Sequence, residues 1–267
     1  MTELSTPPAA GAFTGERPGR GEGFAYDEAR HLAAYLYARE LARDREVLDA
    51  GCGEGFGTVL LAETARRVVG IDYSEAAVAA ARAAYRRPNL EFRRLDVHEL
   101  PGLGLPFDLV TNFQVIEHLP EPGRFLTAVR AALKADGVLM LTTLNRLTTV
   151  SENPYHLREY TAEDLRELLR PIFSRVDLYG MMGNAKVRAF DAERARQVQR
   201  ILRLDPLGLR HRLPAWLVRF VFGRLSVLVR RRVVGAAAET RSIVPADFAV
   251  VEESRPDALD LVALCRP

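Results

Sequence analysis

Val47-Leu48-Asp49-Ala50-Gly51-Cys52-Gly53-Glu54-Gly55-Phe56-Gly57 is the stretch from which the fold follows. Apolar Val47 and Leu48 read as a buried strand that Asp49 closes. Gly51, Gly53 and Gly55 then predict a turn in which backbone can come close to a ligand, because glycine carries no Cβ. A helix is expected directly afterwards, from Thr58 to Arg66. Such a strand, glycine loop and helix start leave backbone N–H groups at a positive helix end, which suits a nucleotide-derived ligand.

Working outward, Arg67 to Asp72 reads as a second strand that again finishes on a carboxylate, which completes a βαβ unit. Ser74 is a candidate N-cap, with Glu75 in the first turn of an Ala-rich helix that runs to Arg87 before Pro88. Further strands are expected at Leu90 to Leu95, followed by Asp96, at Phe107 to Phe113 and at Gly137 to Leu144, with a helix from Gly123 to Lys134. A polar loop, Asn145 to Tyr160, leads to a helix opened by Thr161 with Asp164 three residues on, close to a capping box. Phe173 to Tyr179 and Ala258 to Cys265 read as the sixth and last strands. This alternation predicts a parallel sheet, and Tyr26 to Leu41 a helix packed ahead of the first strand.

Gly180 to Asp257 is far longer than a hairpin between the last two strands requires, so it reads as an inserted unit. It holds a helical stretch from Ala185 to Leu204, a turn at Asp205 to Gly208 and a basic amphipathic run from Pro214 to Arg232. The expected organisation is therefore a flexible arm (1–23), a core (24–180), a helical insertion (181–257) and a last core strand (258–267).

The length of 267 residues suits one α/β domain with an insertion, and a net charge of +2 says little about partners. Lysine occurs only at Lys134 and Lys186, so the arginine excess reads as compositional bias. Cys52 and Cys265 form neither a disulfide framework nor a metal cluster, and Met1 to Gly23 lacks the apolar core of a signal peptide; both point to the cytoplasm. The charged runs, such as Arg194, Arg196, Arg200 and Arg203 with their intervening acids, read as a solvated helix face, so no nucleic-acid partner is expected.

Taken together, Asp49 to Gly55, Gly70-Ile71-Asp72, Leu95-Asp96-Val97, Phe107-Asp108-Leu109-Val110 and Val115-Ile116-Glu117-His118-Leu119 resemble the motifs of the class I S-adenosylmethionine-dependent methyltransferases, in family order. The resemblance covers Glu46 to Tyr179 and the final strand. It implies an α/β, Rossmann-like seven-stranded class I methyltransferase sheet, mostly parallel with an antiparallel last strand. The implied cofactor is S-adenosyl-L-methionine, held by Asp49, Gly51, Cys52, Gly53, Gly55, Asp72, Tyr73, Asp96, Val97, Asn112 and Phe113. Asp49 or the loop backbone would face the methionine portion, Asp72 the ribose diol, and Asp96 and Val97 the adenine, while Thr111, Asn112 and Phe113 would lie under the sulfonium.

Methyl transfer is displacement at an activated carbon, so the protein positions an acceptor and, where needed, removes its proton. His118 is the first candidate for that base and His156 the second, with Glu117 beside them. The Gln114 to His118 segment also resembles the Glu-x-x-Glu-His stretch that ubiquinone-pathway O-methyltransferases link to a divalent ion. Gln114 stands in place of the first acid, and loss of an anionic oxygen weakens a hard-cation site, so no metal is expected. Related methyltransferases carry a stretch like Asn153-Pro154-Tyr155-His156-Leu157-Arg158-Glu159-Tyr160. Gln114, Tyr155, Arg158 and Tyr160 are accordingly the expected substrate-binding residues.

The expected acceptor is a small molecule, methylated on a hydroxyl oxygen of a phenolic, quinol-like or sugar-bearing compound. A nitrogen of a small molecule or peptide product is the rival, and a catalytically silent cofactor-binding or membrane-associated scaffold is a third reading. A dinucleotide oxidoreductase would need a third glycine where Phe56 stands. In the run 214–232, Trp216, Leu217, Phe220, Val221, Leu225 and Leu228 fall on helical spacing among arginines. That pattern suits a cap over an apolar acceptor, a homodimer interface or weak contact with an anionic membrane surface.

Overall fold

A computed structural model describes residues 25–150, 153, 155–202 and 242–267. Helix α1 (Ala25–Leu41) precedes β1 (Glu46–Ala50). The chain then continues through α2 (Thr58–Leu61), β2 (Arg67–Asp72), α3 (Glu75–Ala84), β3 (Leu90–Arg94), β4 (Phe107–Phe113), α4 (Pro122–Ala132) and β5 (Leu133–Leu144). After α5 (Ala162–Leu169) come β6 (Arg175–Gly183), α6 (Ala185–Leu202), β7 (Phe248–Glu252) and β8 (Asp260–Arg266).

The strands form one sheet in the order β3-β2-β1-β4-β5-β8-β6-β7. Strands β1 to β5 pair in parallel, whereas β8 runs antiparallel to both β5 and β6. The central strands β1, β2, β4 and β5 are buried on both faces because helices cover both, whereas the edge strand β3 (Leu-Glu-Phe-Arg-Arg) buries only Phe92. Leu48, Val69, Val110, Leu139, Leu141 and Leu261 point to the α4 and α5 side, and their neighbours Val47, Val68, Leu109, Met140 and Val262 to the α1 side. The parallel strand ends β3, β2, β1 and β4 therefore stand in a row along one edge of the sheet.

Several boundaries depart from the sequence reading. The sheet has eight strands where seven are expected, because Phe248–Glu252 adds an edge strand antiparallel to β6. The stretch 181–257 is thus not wholly helical. Its Phe248 and Val250 join the apolar cluster under α1, which hides a short strand from a reading based on length. Helix α2 is a single turn rather than a run to Arg66. Thr64 ends the local pattern by donating its hydroxyl to the Arg39 carbonyl at 2.6 Å, and the chain turns at once into β2. Strand β5 begins at Leu133, where Leu133 pairs with Phe107 ahead of a register shift, and not at Gly137. The capping box at α5 is as expected: Thr161 accepts from the Asp164 N–H, and Asp164 accepts from the Thr161 N–H.

The arm and the basic run 214–232 lie outside the described residues. Among the described residues no helix is long and apolar enough to cross a membrane. The entry to α2 depends on one close fit: a Cβ at Gly57 would overlap the buried ring of Tyr35. Gly57→Ala is therefore expected to destabilise the protein by about 1–3 kcal/mol, the cost of overpacking a closed core. Urea denaturation checks this, and an unchanged midpoint would show that the ring has room to yield.

Candidate active site

The glycine loop is fixed from below by Asp49, which is 1% exposed. Its carboxylate accepts from the Tyr35 hydroxyl (3.1 and 3.3 Å), the Thr58 hydroxyl (2.6 Å) and the Thr111 hydroxyl (2.8 Å). Burial pushes its pKa up to about 6 while these hydroxyls hold it down. The side chain thus faces inward, away from the backbone that the glycine loop presents. Gly51, Gly53 and Gly55 have φ of 90°, 55° and 81°, a region that side chains with a Cβ avoid. A Cβ at Gly51 would overlap Val115 and one at Gly55 would overlap Phe92, but one at Gly53 would meet nothing within 4 Å. The loop opens to space at Gly53. Cys52 is buried against Val78, Ala81 and Phe92, with its Sγ 3.6 Å from the Gly53 carbonyl.

On the neighbouring strand end, Asp72 accepts the Gly53 N–H at 3.0 Å and the Ser74 N–H at 2.8 Å, so it fastens β2 to the loop. Tyr73 beside it is 59% exposed. Asp96 is exposed at the end of β3, accepts from the His98 N–H and from its ring Nδ1, and opens a short 3₁₀ helix in which Val97 is buried. On β4, Asn112 is fully buried and donates to the Ala50 carbonyl at 2.7 Å. Phe113 packs under Tyr35 and His31. These two residues support the site from beneath.

Past β4 the chain turns through Gln114, a non-glycine residue with φ of 56°. Glu117, His118 and His156 then converge, with one ligand-capable atom of each lying within 4.8 Å of the others. Glu117 is 1% exposed; its Oε2 accepts from the Thr143 hydroxyl at 3.0 Å, and its Oε1 has no partner among the described residues. Burial pushes its carboxyl up to about 7, against the nearby His156.

The two imidazoles differ in what holds them. Asn153 accepts the Tyr155 N–H on Oδ1, so its amide nitrogen is the atom facing His156 Nε2 at 2.9 Å. That nitrogen donates, which makes Nε2 an acceptor and puts the proton on Nδ1, where Glu159 Oε1 accepts it at 2.7 Å. His118 instead points Nδ1 at the Tyr155 carbonyl (3.0 Å), an acceptor, so its Nε2 is the atom able to take a proton. Two imidazoles and a carboxylate can also hold a divalent ion. His156 adds to this cluster a ligand from outside the Gln114 to His118 segment.

Among the other expected wall residues, Tyr155 is half-buried and Arg158 is exposed with its guanidinium 5.6 Å from the Tyr160 ring. Tyr160 is fully buried and anchors the loop. Glu159 joins His156 rather than Arg158. A further wall has no local signal in the sequence: from α1, His31 packs on Phe56 and Phe113, and Arg30 Nε lies 3.5 Å from Asp260 Oδ2 at the start of β8. Burial lowers the His31 pKa to about 4, so this ring is neutral. These residues meet only through the packing of a helix on a distant strand.

Residues 41–188 match the model of a methyltransferase domain. A Mycolicibacterium smegmatis protein named a probable S-adenosylmethionine-dependent methyltransferase is 40% identical over 193 residues, which is 69% of this chain and 74% of that one. A Coxiella burnetii ubiquinone biosynthesis O-methyltransferase is 29% identical over 146 residues, 51% of this chain and 62% of its own length. Among solved structures, a SAM-dependent methyltransferase from Thermotoga maritima superposes with a TM-score of 0.57 at 14% identity, covering 91% of each chain, a likeness of fold.

The raised Glu117 carboxyl sets a pH dependence of stability. Its folded pKa of about 7 lies above the ordinary 4.5, so its stabilising share is fully present below about 4.5 and is lost as pH rises through about 7. The stability of the natural protein relative to Glu117→Gln should fall across that window. Thermal denaturation of both proteins over a pH series tests this, and a constant difference would contradict it.

Proposed function

Because the chain belongs to the S-adenosylmethionine-dependent methyltransferases, we propose that it moves the methyl group of S-adenosyl-L-methionine to a hydroxyl oxygen of a small molecule, phenolic, quinol-like or sugar-bearing. The observation that carries the oxygen reading is His118. Its Nδ1–H donates to the Tyr155 carbonyl, which makes Nε2 the basic nitrogen of a ring at the tip of β4, beside Glu117. A neutral hydroxyl is a weak nucleophile until its proton has somewhere to go, whereas a neutral amine can attack with its lone pair before losing one. The similarity to an enzyme named as a ubiquinone biosynthesis O-methyltransferase supports the same reading.

In this reading the loop backbone at Gly51, Gly53 and Gly55 takes the methionine portion, Asp72 with Tyr73 the ribose, and Asp96 with Val97 the adenine. Asn112 and Phe113 support the sulfonium end from below. The acceptor sits between Gln114 and the loop of Tyr155 and Arg158. Its oxygen attacks the methyl carbon in line, the carbon–sulfur bond breaks with its electron pair staying on sulfur, and the hydroxyl proton passes to His118 Nε2. His156, already bonded at both nitrogens, holds the wall in shape. Proton transfer of this kind requires no metal; a divalent ion held by Glu117, His118 and His156 would instead polarise the acceptor oxygen.

His118→Ala is expected to lower kcat by about 10²- to 10⁴-fold, the range for loss of a general base, with S-adenosylhomocysteine affinity by calorimetry nearly unchanged. His156→Ala should cost less in kcat and more in loop order. An acceptor found by mass spectrometry of methyl-labelled cell extract supplies the assay. Unchanged turnover in His118→Ala would remove the base assignment, methylation at nitrogen would replace the oxygen reading, and loss of turnover on EDTA treatment with recovery on adding a divalent ion would replace the metal-free one.

A further inference from the structure

We propose that Asp260 is an acceptor-binding residue whose Oδ1 takes a hydrogen bond from a second hydroxyl group of the methyl acceptor, across the sheet edge from His118. This rests on the hydroxyl-methylating reading above. Asp260 is 3% exposed, and its Oδ1 has no partner among the described residues. A carboxylate oxygen buried without a donor is costly, and such atoms persist where a ligand or water completes them.

The placement follows from register. Phe113 pairs with Thr142, the Gln114 N–H donates to the Thr142 carbonyl, and Asp260 lies opposite Leu144, two residues further along β5. Asp260 therefore stands at the same sheet edge as the methyl-side residues, on the α1 face, whereas Glu117 reaches the edge on the other face through Thr143. From α1, Arg30 lies 3.5 Å from Asp260 Oδ2, and its neighbour His31 touches Phe113 and Phe56 of the glycine loop. The Gln114 amide lies beside the same carboxylate.

The surrounding charges decide what binds. Arg30 and Gln114 face Asp260 as donors, Asp27 and Asp191 act on it from α1 and α6, and Arg194 lies over the Tyr26 ring that Asp191 bonds. Arg30 offsets the Asp260 charge and engages Oδ2, which leaves Oδ1 to accept from a neutral hydroxyl. A carboxylate or phosphate on the acceptor would meet repulsion here. Glu117 Oε1 and Asp260 Oδ1 thus bracket the acceptor with two acceptor atoms, one near the reacting oxygen and one at a distance from it.

The probes are catechol, resorcinol and hydroquinone against phenol, and methyl α-D-glucopyranoside against its deoxy analogues, with radiolabelled S-adenosylmethionine. The natural protein should methylate the best polyhydroxylated probe about tenfold or more better in kcat/KM than its counterpart lacking one hydroxyl, the fold-change of one hydrogen bond to a charged group. Asp260→Asn should abolish that preference through KM, with kcat and S-adenosylhomocysteine affinity close to the natural values. Asp260→Glu, which keeps the carboxylate, should retain part of it, and serves as well should the asparagine variant not fold.

Equal rates for paired probes in the natural protein, or a preference intact in both variants, would overturn the proposal. So would transfer to none of the probes with S-adenosylhomocysteine still bound, which leaves the methyltransferase assignment standing. Methylation of the polyhydroxylated probes that is lost in His118→Ala but unchanged in KM in both Asp260 variants would keep the hydroxyl reading and discard this one.

Discussion

A buried carboxylate sets the geometry on which the site depends. Asp49 belongs to β1, and the three hydroxyls it accepts come from α1, α2 and β4 through Tyr35, Thr58 and Thr111. Removing a carboxylate from water is costly, and only donors in fixed positions offset that cost. Each donor is therefore held where the carboxylate requires it. The Tyr35 ring fills the space below Gly57, the one-turn helix α2 starts where Thr58 can reach, and the glycine loop leaves β1 on a rigid base. The loop can then present its backbone without a side chain intervening.

Along the same edge the other carboxylates grade from satisfied to incomplete. Asp72 takes two backbone N–H groups and Asp96 caps a 3₁₀ turn, and both serve local structure as they border the open loop. Glu117 and Asp260 are each bonded or paired on one oxygen and bare of a partner on the other among the described residues. The first pair can be explained by folding alone. The second pair lowers stability where it stands, and an arrangement of that kind is retained at sites where a ligand completes it.

The loop after β5 is tied to this edge through backbone as well as side chains. The Glu117 carbonyl accepts the Leu157 N–H at 2.8 Å and the Arg158 N–H at 3.2 Å, so the segment bearing His118 and the segment bearing His156 are tied together. Asn153 and Glu159 then fix the His156 ring from both nitrogens. A histidine held in this way supports shape. Its neighbour His118 donates from Nδ1 to the Tyr155 carbonyl, so the basic nitrogen of that ring is Nε2.

The glycine loop, the acids closing β2 and β3, the capping box at Thr161 and the polar wall of Tyr155 to Tyr160 were legible in the residues themselves. Each rests on local chemistry: absent Cβ atoms, strand periodicity, or a side chain bonding a backbone group a few positions away. The direction of a side chain at a strand end was not legible. Asp49 turned inward, Tyr160 became an anchor and Cys52 joined the core, because packing around a strand end decides which way it points. The edge strand β7 was hidden by its brevity and by the partner it pairs with. Arg30 and Asp260 lie at opposite ends of the chain, and only the fold brings them together. Sequence alone determined the parallel core of the sheet and the glycine loop, which follow from short-range backbone rules, and the cofactor class, which follows from the resemblance of the motifs to a family. The tertiary structure alone decided which carboxylates are satisfied within the fold and which keep an oxygen without a partner among the described residues, since that depends on donors arriving from elements distant in sequence.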